Sequence, residues 1–185
     1  NEIIALKPEW HSAFIEWEHI EEVGIENIAF EFPNSPSYPH HVEDGNNAIY
    51  LTSLMNGWVR NVRIKNADSG ILTDDISNVT IEDVVTQGEK RAHYTVAMGE
   101  VHNVLVKGLR VENEAIHTIS FNTRATRNIF TDCVISHSPI LDQHSGTNAQ
   151  NLFDNIKVYA FHGCLDEEAR IGSEYSVDIT VNADL

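Results

Sequence analysis

The chain has few of the residues that cross-link small domains, bind structural zinc or form membrane-spanning segments. Its 185 residues include only two cysteines, Cys133 and Cys164, too few for a disulfide framework or a cysteine-rich zinc site. No apolar run approaches the ~18 residues that span a bilayer. A chain of this length buries enough surface to fold without a disulfide or a metal. We therefore expect one soluble domain, residues 1–185, in which both cysteines are buried apolar residues.

Basic residues are scarce as well. The chain has 12 Lys and Arg against 28 Asp and Glu, which gives a net charge of −16. Such a charge repels phosphate backbones and anionic lipid, so it excludes binding of nucleic acid or a membrane surface through a broad basic patch. The chain begins at Asn1 and shows no charged segment followed by an apolar one. We expect a processed chain or part of a larger protein, and nothing in the sequence indicates its oligomeric state.

Long helical stripes are absent, and a repeat takes their place. The segment from Trp10 to Glu22 fits either a short amphipathic helix or an opening coil. Elsewhere, short segments align on an asparagine, a bulky β-forming residue and then a residue that tolerates a left-handed bend. The bulky residues are Phe30, Ile64, Ile81, Val106, Phe130 and Phe153. The bends are Asn66, Asp83, Gly108, Asp132 and Asn155, at intervals of 17, 25, 24 and 23 residues.

Intervals of this length fit one multi-strand coil of a solenoid. We predict an all-β fold, a single-stranded right-handed parallel β-helix of about six to seven coils, with neighbouring coils about 4.8 Å apart. Residues 33–47 interrupt the repeat and are expected to form an inserted surface loop. The bend asparagines Asn61, Asn78 and Asn103 are expected to point inward and to satisfy backbone groups.

The asparagine-apolar-x-apolar-x-Asn/Asp/Gly repeat, from about Gly24 to Ala160, resembles the pectin-lyase-like superfamily. The resemblance implies the right-handed β-helix and a secreted, extracellular or periplasmic protein. It also implies action on polysaccharide, although that superfamily includes lyases, hydrolases, epimerases and phage tailspikes. The polygalacturonase-like motifs do not carry over, because Arg63-Ile64-Lys65 precedes Asp74-Asp75 and Gly-His-Gly is missing.

Two histidines occupy the same position relative to the bends. His93 precedes Gly108, and His117 precedes Asp132, by 15 residues. The triplet Asp142-Gln143-His144 follows close to this register in the next coil, so these side chains are expected on one flank of the solenoid. Histidine is the only side chain whose ordinary pKa lies near neutrality, which suits proton transfer. The alternative is a solvated strand that polar side chains merely decorate.

These positions lead to the hypothesis of a lyase that cleaves an acidic glycan by β-elimination. Arg124 would neutralise the uronate carboxylate, since its planar guanidinium can bind a carboxylate through two parallel hydrogen bonds. His117 or His93 would be the base, and Tyr94 or His144 the proton donor. Residues expected to contact substrate are Asp142, Gln143, Lys90, Arg91 and His41. For Arg124, the alternative is a lateral ion pair with Glu100.

Three further alternatives remain open. Asp74 and Asp75, with Asp142, would serve a glycoside hydrolase of neutral glycans. Asp74 and Asp75 would also suit a calcium ion, the one cofactor considered, and no other metal is expected. The chain would otherwise be a non-catalytic carbohydrate-binding or structural module. Trp10, Trp17 and Trp58 share no register, so we favour core packing for them over a sugar-stacking platform.

Overall fold

The computed structural model of the protein describes residues 7–39, 41–143, 146, 148–160, 170 and 172–181. About 60% of the chain is strand and 3% is helix. In these ranges the strands are β1 (Ile20–Glu21), β2 (Gly24–Glu31), β3 (Asn47–Met55), β4 (Trp58–Lys65), β5 (Ser69–Gln87), β6 (Ala92–Met98), β7 (Val101–Lys107), β8 (Arg110–Val111), β9 (Ala115–Phe121), β10 (Ile129–Thr131), β11 (Val134–Ile135), β12 (Leu141–Gln143), β13 (Asn151–Ala160) and β14 (Ser173–Val181).

Parallel pairing between successive coils confirms the predicted β-solenoid. One face stacks β3, the first half of β5, β6, β9 and β12, and a second face stacks β2, β4, the second half of β5, β7, β10 and β13. The chain makes about five turns, fewer than the six to seven coils expected. The right-handed sense of the coil stays a prediction. Each coil buries its apolar positions only against its neighbours, as a solenoid requires.

The repeat has more than one corner, and the sequence alignment merged two of them into one. Asn61 lies beside Asn27 and Asp83, whereas Asn78 lies beside Asn56 and Asn103. The 17-residue interval arose because Asn66 was aligned with Asp83, although the true neighbour of Asp83 is Asn61. All of these residues have positive φ, between 48° and 58°, as the bend residues were expected to have.

The alignment of the bulky residues is corrected in the same way. Ile81, Val106, Phe130 and Phe153 form one column, and Val59 continues it. Phe30 and Ile64 belong to a different column that reaches Thr86 instead. The column ends in a buried aromatic cluster, in which the Phe121 and Phe153 ring centroids are 4.7 Å apart.

Asparagines serve the two corners in different ways. Asn61, Asn78 and Asn103 are exposed, so their predicted inward orientation is wrong. Their amides hydrogen-bond along the outside of the solenoid, from Asn103 to Asn78 at 3.1 Å and from Asn61 to Asn27 at 2.8 Å. By contrast, the side-chain amides of Asn128 and Asn151 are buried, and their oxygens accept backbone N–H groups within the core.

Cys133 is buried, as expected, and burial raises the pKa of its thiol to about 12. Cys164 lies outside the described residues. Trp10 is 55% exposed, and Trp17 and Trp58 are partly exposed, so the expectation that the tryptophans pack in the core is wrong. The N-terminal segment holds a single 3₁₀ turn at Pro8–Trp10 and irregular backbone after it, not an amphipathic helix.

The last strand departs from the parallel pattern. β14 runs antiparallel to β13 and pairs with it from Asn151 to Ala160, with a register shift between Phe153 and Ile156. An exposed strand edge invites pairing with other chains, and an antiparallel strand covers it. At the other end of the chain the edge strand β2 pairs only with β4. In the ranges that the structure describes, no helix has the length and apolarity that crossing a membrane requires.

Candidate active site

Three aromatic rings from two neighbouring strands form a stack on the first face of the solenoid. Tyr94 of β6 stacks on His93, with ring centroids 4.2 Å apart, and on His117 of β9 at 4.9 Å. The two imidazole centroids are 5.5 Å apart. A fourth ring, His41 from the loop between β2 and β3, meets His93 edge-on at 5.1 Å. The predicted proximity of His93 and His117 is confirmed.

Each imidazole of the stack is paired with a carboxylate. Nδ1 of His117 lies 2.7 Å from Oδ2 of Asp142, and Nδ1 of His93 lies 2.9 Å from Oε1 of Glu43. All four side chains are at least 80% buried, with exposures from 8% to 17%. In such surroundings a carboxylate fixes the ring orientation and places a proton on the nitrogen that faces it. The opposite nitrogen, Nε2, is then the one suited to accept a proton.

The strand register that builds the stack differs from the predicted one. Tyr94, not His93, is the direct neighbour of His117 between β6 and β9. Asp142 faces Ser120 between β9 and β12, so it lies three positions farther along than His117. Ser120 donates a hydrogen bond to Asp142 at 3.1 Å, which orients the carboxylate toward the stack.

Burial raises the pKa of Tyr94 above its ordinary value of 10.0, and the negative charge of Asp142 adds to the shift. A hydrogen bond with the Asn122 side chain acts in the opposite direction. The phenol of Tyr94 therefore holds its proton throughout the neutral range. A protonated phenol beside two imidazoles can donate a proton but does not act as a base there.

The loop between β2 and β3 covers this side of the stack. Residues 32–39 and 41–46 contain neither helix nor strand. Next to His93 they border a cavity of 180 Å³, lined by Glu43, Asp68, Ser69 and Tyr94 among others. Of the stacked rings, His93 and Tyr94 line this cavity, so a ligand in it would contact them.

A buried ion pair anchors that loop. Nζ of Lys90 lies 2.5 Å from Oδ1 of Asp68, and their side chains are 0% and 2% exposed. Lys90 also donates to Oγ of Ser35 at 2.7 Å, while Asp68 accepts the backbone N–H of Asn46 at 2.8 Å. The pair thus holds both ends of the loop. The carbonyl of Asp68 accepts the backbone N–H of His93, which ties the loop anchor to the stack.

The other residues predicted to contact substrate have different surroundings. Lys90 is wrong as a surface ligand for substrate, because its ammonium is enclosed by Asp68 and Ser35. Arg91 is exposed, and its backbone N–H bonds Ser37 of the loop. Gln143 ends β12, one residue after Asp142, and is partly buried. His144 lies outside the described residues.

Arg124 is not brought to the histidine stack. It follows the end of β9, and the four residue steps of strand from His117 to Phe121 alone span about 13 Å. Its guanidinium pairs with the carboxylate of Glu100 in the neighbouring coil, which was the alternative foreseen for it. The physical reason is its place at a corner, where Glu100 is its lateral neighbour and both residues have positive φ.

Asp74 and Asp75 do not share a site. Oδ2 of Asp74 accepts the hydroxyl of Tyr50 at 3.3 Å, whereas Oδ2 of Asp75 accepts the indole N–H of Trp17 at 2.6 Å. Within the ranges that the structure describes, no group of three or more His, Cys, Asp or Glu side chains is arranged to hold a metal ion. A joint role in hydrolysis or calcium binding therefore has no geometric support from these two residues.

Sequence reasoning missed Glu43, Asp68 and Asn122 as parts of the site. Glu43 is in the loop that breaks the repeat, so its position cannot be obtained from register. Asp68 directly follows a bend and reads as an ordinary turn residue. Only Asn122 could have been found from the sequence, because it lies two residues after the residue that pairs with Asp142 in the neighbouring strand.

Comparison with protein-family models, with curated proteins and with solved structures finds no match for the chain.

Proposed function

We propose that the protein is a polysaccharide lyase that cleaves a uronate-containing glycan by β-elimination at the histidine–tyrosine stack. The observation that carries the proposal is the pairing of His117 with Asp142 at 2.7 Å beside the stacked ring of Tyr94. An oriented imidazole next to a protonated phenol supplies a base and an acid within a few ångströms of each other. The resemblance of the repeat to pectin-lyase-like proteins supports a polysaccharide as substrate.

His117 is the base in this proposal. With Nδ1 directed at Asp142, Nε2 removes the C5 proton of the uronate. The electron pair of the broken C–H bond forms the C4–C5 double bond, and the C4–O bond to the next sugar breaks. Asp142 stabilises the imidazolium that results, as a buried carboxylate does for a histidine base.

Tyr94 is the acid. The departing glycosidic oxygen takes the phenolic proton of Tyr94, which is available because its pKa is raised. His93, which is paired with Glu43, packs against the Tyr94 ring beside His117 and keeps the phenol in place. Because Arg124 lies at a distant corner, hydrogen bonds from the amides of Asn122 and Gln143 are left to stabilise the uronate carboxylate.

The test is a screen of uronate-containing and neutral polysaccharides with two simultaneous readouts. Ultraviolet absorbance follows unsaturated ends, and a colorimetric assay follows reducing ends. The expected result is that both signals rise together on a uronate glycan. His117→Ala should lower turnover by about 10²–10⁴-fold, the contribution typical of a general base. His137→Ala is the matched control, because His137 is an exposed histidine outside the stack.

A second candidate is glycoside hydrolysis at the same site. It is favoured by the two mostly buried carboxylates of Glu43 and Asp142, which flank the rings and make the site acidic. Hydrolysis would raise reducing ends without unsaturated ends, and it would depend on Asp142→Asn as strongly as on His117→Ala. If neither assay gives a signal and the protein still binds glycan, the protein is a non-catalytic binding module.

A further inference from the structure

A second cavity lies away from the histidine stack. It measures 770 Å³ and forms an open groove between the N-terminal segment and a corner of the solenoid. Small-molecule sites typically occupy about 300–1,000 Å³, so its size is sufficient for a ligand. The corner begins at Asp75, six residues along β5 from Ser69 of the active-site cavity, which is about 20 Å of extended strand. The two cavities are therefore separate.

Trp17 forms one wall of this cavity as a fixed platform. Its indole N–H donates to Oδ2 of Asp75 at 2.6 Å, and its ring stacks on His19 with centroids 4.3 Å apart and planes 19° from parallel. An indole that is held in place and only partly buried loses little freedom when a ring stacks on it. Its position is set by this hydrogen bond to β5 and by the stacking on His19, not by core packing.

The floor of the cavity is a register column of hydrogen-bonding side chains. Ser77, His102 and Thr126 are direct neighbours in three successive coils. Nδ1 of His102 lies 2.7 Å from the hydroxyl of Thr126. Hydroxyl and imidazole groups both donate and accept hydrogen bonds, so this column can bond the hydroxyl groups of a sugar.

The charge of the cavity selects the ligand. Its acidic residues are Glu16, Glu18, Asp75 and Glu100. The nearest guanidinium, that of Arg124, is engaged by Glu100. Carboxylates accept hydrogen bonds from hydroxyl groups, attract ammonium groups and repel uronates.

We propose that this cavity is a second saccharide-binding site, distinct from the active site, that takes an amino sugar. The sugar ring stacks on the indole of Trp17, its hydroxyls bond the column that includes His102, and its ammonium group lies among the carboxylates. A cation against an indole face gains additional attraction. The proposal concerns binding alone and does not depend on the lyase activity.

The test is isothermal titration calorimetry at low salt and slightly acidic pH with three probes. These are oligomers of β-1,4-linked glucosamine, the N-acetylated oligomers and oligogalacturonate. We expect the glucosamine oligomers to bind more tightly than the N-acetylated ones, and any binding of oligogalacturonate, which belongs to the active site, to be unchanged by Trp17→Ala. Trp17→Ala should weaken glucosamine binding about tenfold or more. Added salt should weaken it as well, because the carboxylates contribute through charge.

Two further variants serve as controls for this experiment. Trp10→Ala removes another exposed tryptophan that does not line the cavity, and it should leave binding unchanged. Trp17→Phe keeps a stacking ring and should retain part of the affinity. Circular dichroism and thermal melting show whether each variant keeps the β-solenoid. Any other order of affinities, equal losses in Trp10→Ala and Trp17→Ala, or no saccharide binding would overturn the proposal, whatever the outcome of the activity assays.

Discussion

At the scale of single residues, the chemistry of the site depends on which of its side chains carry a proton. Tyr94 keeps its proton because its ring is partly buried and because Asp142 is close by. The two histidines differ in their partners, since Glu43 comes from a loop and Asp142 from a strand. This asymmetry favours His117 as the base, because a carboxylate held on a strand is the more rigid orienting group.

Tyr94 should ionise only above pH 10.0, its ordinary pKa. Since its pKa in the folded state is raised, the stabilisation from the protonated phenol is fully present below that pH. It is lost as the pH rises through the higher value of the fold. The measurement is the difference in phenolate absorbance between the wild-type protein and Tyr94→Phe across an alkaline titration. A Tyr94-dependent signal at neutral pH would contradict the assignment of Tyr94 as acid.

At the scale of elements, strands position part of the side chains of the site, and the loop between β2 and β3 positions the rest. The sequence repeat was sufficient to bring His93, His117 and Asp142 together, because residues at similar positions in successive coils become lateral neighbours. It could not place Glu43, whose loop follows no period. It also assigned Arg124 to the wrong surroundings, since the alignment did not distinguish corners from strand positions.

The Lys90–Asp68 pair should control the loop as a unit. Lys90→Met leaves the Asp68 carboxylate buried without its cation, which costs about 3–5 kcal/mol of unfolding free energy. Asp68→Asn added to Lys90→Met should recover part of that loss, because no isolated charge then remains. Chemical denaturation measures the stability, and cleavage after Glu43 by a glutamate-specific protease reports release of the loop.

The matched control for this pair is Lys65→Met. Lys65 pairs with Glu31 on the surface, where both side chains are largely exposed, so its loss should cost about 0–1 kcal/mol. Equal effects of Lys90→Met and Lys65→Met, or faster unfolding without faster cleavage after Glu43, would show that the buried pair does not hold the loop.

At the scale of the whole molecule, the solenoid combines a continuous apolar interior with a strongly acidic surface. The fold class could be predicted because each coil repeats the same core and bend positions, and the buried columns through Ile81 and Phe130 follow that repeat. The antiparallel β14 could not be predicted, because it pairs with β13 alone and follows no repeat. The cavity beside Trp17 escaped prediction for the same reason, since an irregular segment forms its wall.

A net charge of −16 on 185 residues should destabilise the folded state by self-repulsion at low salt. Raising the sodium chloride concentration from about 0.01 M to 0.15 M shortens the screening length from about 30 Å to 8 Å. We therefore expect the melting temperature to rise over this range in differential scanning calorimetry. A falling melting temperature would show that local ion pairs such as Arg60–Glu82 outweigh the long-range repulsion.

The central claim is that the stack of His93, Tyr94 and His117 performs β-elimination. The most direct measurement compares the wild-type protein with Tyr94→Phe on the uronate glycan that responds in the screen, following unsaturated ends. Tyr94→Phe keeps the aromatic ring beside the two imidazoles and removes only the phenolic hydroxyl group. The account predicts that the variant keeps its fold and its glycan affinity and loses turnover by about 10²-fold or more. Unchanged formation of unsaturated ends by Tyr94→Phe would contradict it.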